Sequence, residues 1–497
     1  MPHYISTRNK NNLTDSHNAI ISGLAEDGGL YTPASIEPFI SEELLKGRSY
    51  QDIALAVLSY FLNDYTKEDL NTCITNAYDT KFDDPSIVPL KKLNDCHLME
   101  LWHGPTSAFK DLALTILPHL LLKAKEMEDD HNTIAILTAT SGDTGKAALS
   151  GFADVKGTAI TVFYPQIGVS AVQKQQMVTA DGDNVAVIAV RGNFDDCQRM
   201  VKEASSDNNL LNGLHGISIS SANSINAGRL IPQIVYYCSS YAKLVEDGTI
   251  HYGEPVNFAV PTGNFGDILA GWLAKKAGLP VGKLICASNR NNVLSDFLST
   301  GTYNANRNFY KTMSPSMDIL VSSNLERMLC IASGYDTDLI KTLMHDLNTT
   351  GQFTIPDSLL STIQQDFIGY WCDEDKCKQT IHDTFLHEHV VIDPHTAVGL
   401  AALKQYQKET GDTTPSIVLS TASPYKFSRS VYNAITGEDM EDEYEAMAAL
   451  SSFSHTTIPA NLSSLKNKEV RFTEVIDKED GKARIKARLE EIAHEKD

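Results

Sequence analysis

One lysine stands out chemically in this chain. The stretch Trp102-His-Gly-Pro-Thr-Ser-Ala-Phe-Lys110-Asp111 opens a run of apolar residues, 112–124, that reads as a buried helix. Most lysines solvate a surface and need no other explanation. Lys110 instead lies at a loop-to-helix junction, between Phe109 and that apolar run. Burial there disfavours the ammonium form and lowers the amine's pKa. A neutral lysine amine is a nucleophile that can attack an aldehyde.

Four other segments offer groups for anions or ring atoms. Pro261-Thr-Gly-Asn-Phe-Gly-Asp267 follows an apolar strand and precedes a helix. Successive amides in such a turn, aimed from a helix N-terminus, make an anion cradle. Gly263 and Gly266 allow a phosphate to approach the backbone. The spacing matches neither the dinucleotide fingerprint nor the triphosphate loop, and a plain capped turn accounts for it equally well. Ala139-Thr-Ser-Gly-Asp-Thr-Gly145 brings hydroxyls and helix-start amides suited to a carboxylate; it too could be only a capped turn. In Ser221-Ala-Asn-Ser-Ile-Asn-Ala-Gly-Arg229, Ser224 and Asn226 start a helix and Arg229 follows one turn on. That set could clamp a second phosphate, the guanidinium supplying a fork, or could be an N-cap with an exposed arginine. Leu419-Ser-Thr-Ala-Ser-Pro-Tyr-Lys426 places hydroxyls at a strand end, where one could face a ring nitrogen.

The elements that must position these groups are legible in the hydrophobic pattern. Short apolar runs at 133–140, 157–164, 184–190, 217–220, 256–260, 284–287 and 416–420 read as strands. Pro165 is expected to stop the second. Helices are expected at about 170–179 with Ser170 as cap, at 194–204, at 226–244 and at 268–277. Apolar strands alternating with helices predict an α/β fold, its parallel sheets flanked by helices on both faces. The segments singled out above fall at strand C-terminal ends or adjacent loops, where open α/β sheets bind ligands. The first 95 residues look mainly helical, as at 50–63, and form an N-terminal lobe. The acidic run 438–445 reads as solvated surface, and the charged tail 474–497 as an exposed helix.

Bulk properties narrow the partners. A chain of 497 residues exceeds one simple core, so two or three domains are expected. With 42 basic and 63 acidic residues the formal charge is −21. That excludes nucleic acid and an anionic membrane surface as natural partners. No apolar stretch reaches the roughly 20 residues that span a bilayer, and the start resembles no signal peptide, so the cytoplasm is expected. The eight cysteines are scattered, and the close pair Cys372 and Cys377 has no second pair, so buried thiols are expected rather than a metal site.

His103-Gly-Pro-Thr-x-Ala-Phe-Lys-Asp111 resembles the cofactor-lysine motif of threonine synthases. Segments 139–145, 261–267 and Ser224-Ile-Asn226 with Arg229 resemble three more motifs of that family, and Ser6-Thr-Arg8 with 23–31 resembles its opening. The similarity runs in order over about residues 4–437, and the length resembles the long bacterial and fungal branch. One departure is visible: the branch commonly reads Thr-Ala-His-Pro-Ala-Lys-Phe where this chain has Thr421-Ala-Ser-Pro-Tyr-Lys-Phe427.

The resemblance implies a fold-type II pyridoxal-phosphate enzyme, like the tryptophan synthase β-subunit. It implies an N-terminal lobe at 1–95, a large cofactor domain at 96–142 and 245–497, and a smaller mobile domain at 143–244. Lys110 would hold pyridoxal phosphate covalently, Gly263, Asn264, Phe265 and Gly266 would hold its phosphate, Asp267 would also bind the cofactor, and Thr421 would face the ring nitrogen. Thr106, Ser141, Asp143, Thr144, Ser224, Asn226 and Arg229 would bind substrate. Of these, Ser141 and Thr144 would take its carboxylate, and Ser224, Asn226 and Arg229 its phosphate. The implied reaction converts O-phospho-L-homoserine and water to L-threonine and phosphate, in a monomer. A phospho-lyase yielding 2-oxobutyrate, a serine/threonine dehydratase and a non-catalytic ligand-binding relative remain alternatives.

Overall fold

The computed structural model describes residues 3–140, 142–167, 169–205 and 215–494. The N-terminal lobe begins with β1 (Tyr4–Ser6), β2 (Asn9–Thr14) and β3 (Tyr31–Pro33), an antiparallel sheet in the order β2-β1-β3. These strands were not expected: Asn9–Thr14 is polar and largely exposed, so it carries no apolar alternation to read. Helix Tyr50–Phe61 follows, started by a capping box in which Ser49 and Asp52 satisfy each other's amides.

The next strands are β4 (Leu90–Lys92), β5 (His97–Glu100), β6 (Thr133–Ala139), β7 (Thr158–Pro165), β8 (Val185–Arg191) and β9 (Ile217–Ser220). After them come β10 (Val256–Pro261), β11 (Val281–Ser288), β12 (Thr302–Asn304), β13 (Gln352–Thr354), β14 (Phe367–Trp371), β15 (Ser416–Ser420) and β16 (Val475–Asp477). One sheet has the order β14-β11-β10-β15-β5-β4, parallel except for β4 against β5. A second, β16-β8-β7-β6-β9, is wholly parallel. Every residue of β7 and β10 is buried, as helices on both faces require. β7 ends at Pro165 as expected: lacking an N–H it cannot donate, though it is still the last residue paired, opposite Val190.

Several expectations need correction. The apolar stretch 226–244 is not one helix but Ala227–Leu230, a 3-10 turn Ile231–Gln233 and Ile234–Glu246. Pro232 interrupts the amide ladder and tightens that turn. The tail is not a free, exposed helix. Helix Gly481–His494 buries Ile485, Leu489 and Ile492 against Cys197, Met200 and strands of the five-stranded sheet, and β16 extends that sheet beside β8. Thus β6 and β16, read as parts of 96–142 and 245–497, share a sheet with β7, β8 and β9. Glu443, in the acidic run, is not merely solvated: its carboxylate accepts from the Ala171 and Val172 amides at 3.3 and 3.0 Å, capping helix Ala171–Val178 from another element. All eight cysteines are free and buried. No helix of the described residues is long and apolar enough to cross a membrane.

Candidate active site

Lys110 immediately precedes helix Asp111–Leu114, in a loop held from several sides. The Phe109 amide donates to the Thr421 carbonyl at 2.8 Å, and the Ser423 amide to the Ser107 carbonyl at 3.1 Å. Asp111 accepts from the Thr106 amide and hydroxyl at 2.8 and 2.6 Å. The Thr106 hydroxyl is therefore engaged within the loop. The Lys110 side chain retains some exposed surface, yet burial lowers its pKa to about 8. Asp143 opposes that shift, while Lys426 and Arg229 reinforce it. Lys110, Asp143, Lys426 and Arg229 are thus electrostatic neighbours contributed by four segments far apart in sequence.

The 261–267 turn leaves β10 and enters helix Gly266–Lys276 through Phe265, which is left-handed at φ 63°. No side chain caps this helix, and among the described residues no acceptor meets the amides of residues 263–268. A Cβ on Gly263 would stand 2.8 Å from the Ser316 carbonyl oxygen, so only glycine fits this approach. An unmet row of amides at a helix start is what a phosphate requires. The Asp267 carboxyl is buried, and burial raises its pKa to about 6 against the opposing donations of Tyr236 and Tyr237 at 2.6 and 2.9 Å. Its other oxygen has no partner.

Arg229 is buried, not the exposed arginine of the plainer reading. Its Nη1 donates to the Ala222 carbonyl at 2.5 Å, and its Nε has no partner. Burial lowers its pKa from 12.5 to about 10. A desolvated guanidinium with a free donor suits an anionic ligand. Asn226 has another use: its amide nitrogen donates to the carbonyls of Ile20 and Ser221 at 2.9 and 3.2 Å, and its oxygen caps Gly228 at 2.8 Å. The Ser224 carbonyl accepts from Asn324 at 3.2 Å.

In the third segment Ser141 lies outside the described residues. Gly142 adopts φ 149°, and a Cβ there would run into Gln173 at 2.6 Å. Thr144 is partly exposed at the start of helix Asp143–Phe152. Asp143 is buried and pairs with Lys426 at 2.6 Å, while Gln173 donates to it at 2.9 Å. Burial alone would raise its pKa, but Lys426 and Lys110 hold the carboxylate well below its ordinary range. Thr421 is buried at the end of β15, and its hydroxyl has no partner among the described residues.

Sequence reading missed Lys426, Gln173, Ser316, Asn324 and His395. Lys426 donates to the Thr106 carbonyl at 3.0 Å as well as pairing with Asp143. His395 Nε2 accepts from the Ser316 amide at 3.1 Å, and its Nδ1 shares a proton with Asp393 at 2.6 Å, bracing the carbonyl that packs over Gly263. Asn324 joins two of the segments, its amide donating to Asn264 and its side chain to Ser224. Only Lys426 fell inside a segment already singled out. Of the departing residues, Ser423 accepts from the Tyr425 amide at 3.4 Å, and the Tyr425 hydroxyl donates to the Thr456 carbonyl at 2.9 Å.

Three family models match the chain: Threonine synthase N terminus over residues 3–78, Pyridoxal-phosphate dependent enzyme over 86–421, and Threonine synthase, C-terminal over 396–485. Threonine synthase-like 1 of Homo sapiens is 39% identical over 439 residues, covering 85% of this chain and 58% of that protein. Threonine synthase of Pseudomonas aeruginosa is 36% identical over 476 residues, covering 95% of each. The crystal structure of a threonine synthase from Brucella melitensis with bound pyridoxal phosphate superimposes with a TM-score of 0.87 at 35% identity, covering 99% of each chain. Fold and site define a fold-type II pyridoxal-phosphate-dependent enzyme, whose cofactor the amide cradle and Lys110 suit. Within that class, the chain belongs to the threonine synthase family.

Proposed function

We propose that this chain converts O-phospho-L-homoserine and water to L-threonine and phosphate. The observation that carries this reading is a buried guanidinium with an unmet donor, which suits a second anion. That group, Arg229, is close enough to depress the Lys110 amine. A dehydratase acting on unphosphorylated serine or threonine has no use for it.

Lys110 would hold the cofactor aldehyde, the amides of Gly263, Asn264, Phe265, Gly266 and Asp267 would hold its phosphate, and the buried Thr421 hydroxyl would serve its ring nitrogen. Pyridoxal phosphate, when bound, supplies an electron sink for charge at the substrate α-carbon. The Lys110 amine would act as the base for the substrate α-proton and would return protons later. An amine with pKa near 8 can do both near neutral pH. Thr144 and Ser141 take the substrate carboxylate at the start of helix Asp143–Phe152. Arg229 takes the leaving phosphate, with Ser224 beside it and Asn226 holding the segment in place. All these groups come from one chain, which agrees with a monomer.

Product identification tests the reading. The protein, loaded with pyridoxal phosphate and given O-phospho-L-homoserine, should yield threonine and equimolar phosphate by NMR. Mainly 2-oxobutyrate would replace the synthase with a phospho-lyase using the same groups. No conversion by cofactor-loaded protein would reject both.

A further inference from the structure

We infer that Asn461, far down the chain in the C-terminal segment, is a positioning residue for Lys110. The inference rests on the reading of Lys110 as the cofactor lysine. Three residues before Lys110, Ser107 is buried in the left-handed region at φ 57°. That conformation is ordinary for glycine and unfavourable for serine, and persists only where neighbours impose it. Ser423 bonds the Ser107 carbonyl, and the neighbour that bonds its side chain is Asn461. Its amide nitrogen donates to the Pro105 carbonyl at 2.9 Å, to the Ser107 hydroxyl at 2.9 Å and more weakly to the Gly104 carbonyl at 3.4 Å. The Ser107 hydroxyl in turn donates to the Asn461 carbonyl oxygen at 3.1 Å. A single side chain thus grips both arms of the turn that feeds Lys110.

Asn461 is itself anchored. Upstream, Thr456 is bonded to Tyr425. Downstream, Lys468 pairs with Asp181 at 2.5 Å, and Arg471 donates to the carbonyls of Ala180 and Gly182 at 2.6 and 2.9 Å. The segment then joins β8 through β16. The grip on the lysine loop is therefore braced on the five-stranded sheet. Without it the turn at Ser107 can relax, and the Lys110 amine no longer stays where cofactor and substrate need it.

The test is a double-mutant cycle on cofactor-loaded protein. Asn461→Ala should lower kcat about tenfold, the scale of one or two lost hydrogen bonds. KM should move much less. The pH midpoint of the cofactor absorbance that depends on Lys110 should shift as well. In a Ser107→Gly background, where the left-handed turn costs little, the same Asn461→Ala change should cost no more than about twofold. Should Asn461→Ala fold poorly, Asn461→Asp keeps the shape and loses the donor, and should show the same pattern. Wild-type kcat and absorbance in Asn461→Ala overturn the inference, and so does an equal loss in both backgrounds. Absence of any Lys110-dependent absorbance in the unmutated protein would instead overturn the assignment of Lys110.

Discussion

At the scale of single residues, the site depends on two desolvated cations, a partly exposed Lys110 and a buried Arg229 with an unmet donor. Burial lowers the Lys110 pKa from 10.5 to about 8, so its reactive neutral form builds up some two pH units earlier than in an exposed lysine. Reconstitution of cofactor-free protein with pyridoxal phosphate should therefore accelerate as pH rises and level off just above pH 8, followed by absorbance in a stopped-flow series. A midpoint near that of free lysine would mean that the amine is solvated. Arg229→Ala should raise KM for the phosphorylated substrate by roughly 10²-fold, the worth of a charge-assisted hydrogen-bonding group. Binding of an unphosphorylated analogue should barely change. Equal losses on both ligands would remove Arg229 from the phosphate site. Single-residue chemistry is also where reading the sequence went furthest. Lys110 was singled out by its junction position, whereas the segment of Arg229 left an exposed arginine open, and the orphaned donor on Arg229 appears only once Ala222 and Tyr236 surround it.

At the scale of elements, β10 and the helix after it make the cradle, and a distant turn closes it. The Ser316 carbonyl lies over Gly263, braced by His395 and Asp393. Gly263→Ala places a methyl 2.8 Å from that oxygen. Affinity for pyridoxal phosphate should drop at least tenfold by fluorescence titration, with the melting temperature of cofactor-free protein shifting far less. Unchanged affinity would show that the 313–317 turn yields and the cradle is looser than drawn. The strand and the glycine turn were legible locally. Their cover was not, because Ser316 and His395 carry no pattern that ties them to a turn some 50 and 130 residues earlier.

At the scale of the whole molecule, the two large sheets meet at the site through charge. Asp143 follows β6 of one sheet and Lys426 follows β15 of the other, and their ion pair is buried. Lys426→Met takes from Asp143 its paired cation and leaves it Lys110 and Gln173, which should cost up to about 3–5 kcal/mol of stability. Asp143 has a depressed folded pKa, so its stabilising contribution is present above the ordinary carboxylate pKa and fades as pH falls below it. Urea unfolding should accordingly show the variant's deficit at neutral pH and a smaller one in strong acid. A deficit independent of pH would point to packing instead. The C-terminal helix is part of the same integrity. Leu489→Ala removes a fully buried side chain from the cluster with Cys197 and Met200, at a cost of about 2–5 kcal/mol. An unfolding midpoint equal to wild type would mean that this helix does not dock in solution.

The sequence by itself determined the α/β class, most strand positions, the cofactor lysine's candidacy and the segments that surround it. Apolar runs, glycine turns and helix starts are encoded within some ten residues, and local sterics suffice to read them. Tertiary structure decided the rest. It broke the 226–244 helix at Pro232, turned the charged tail into the edge of a sheet, and gave the Asn226 amide to backbone carbonyls. It also brought Lys426 to Asp143 and Asn461 to Ser107. Those outcomes depend on which distant surfaces meet, and a linear pattern of residue types holds no record of that.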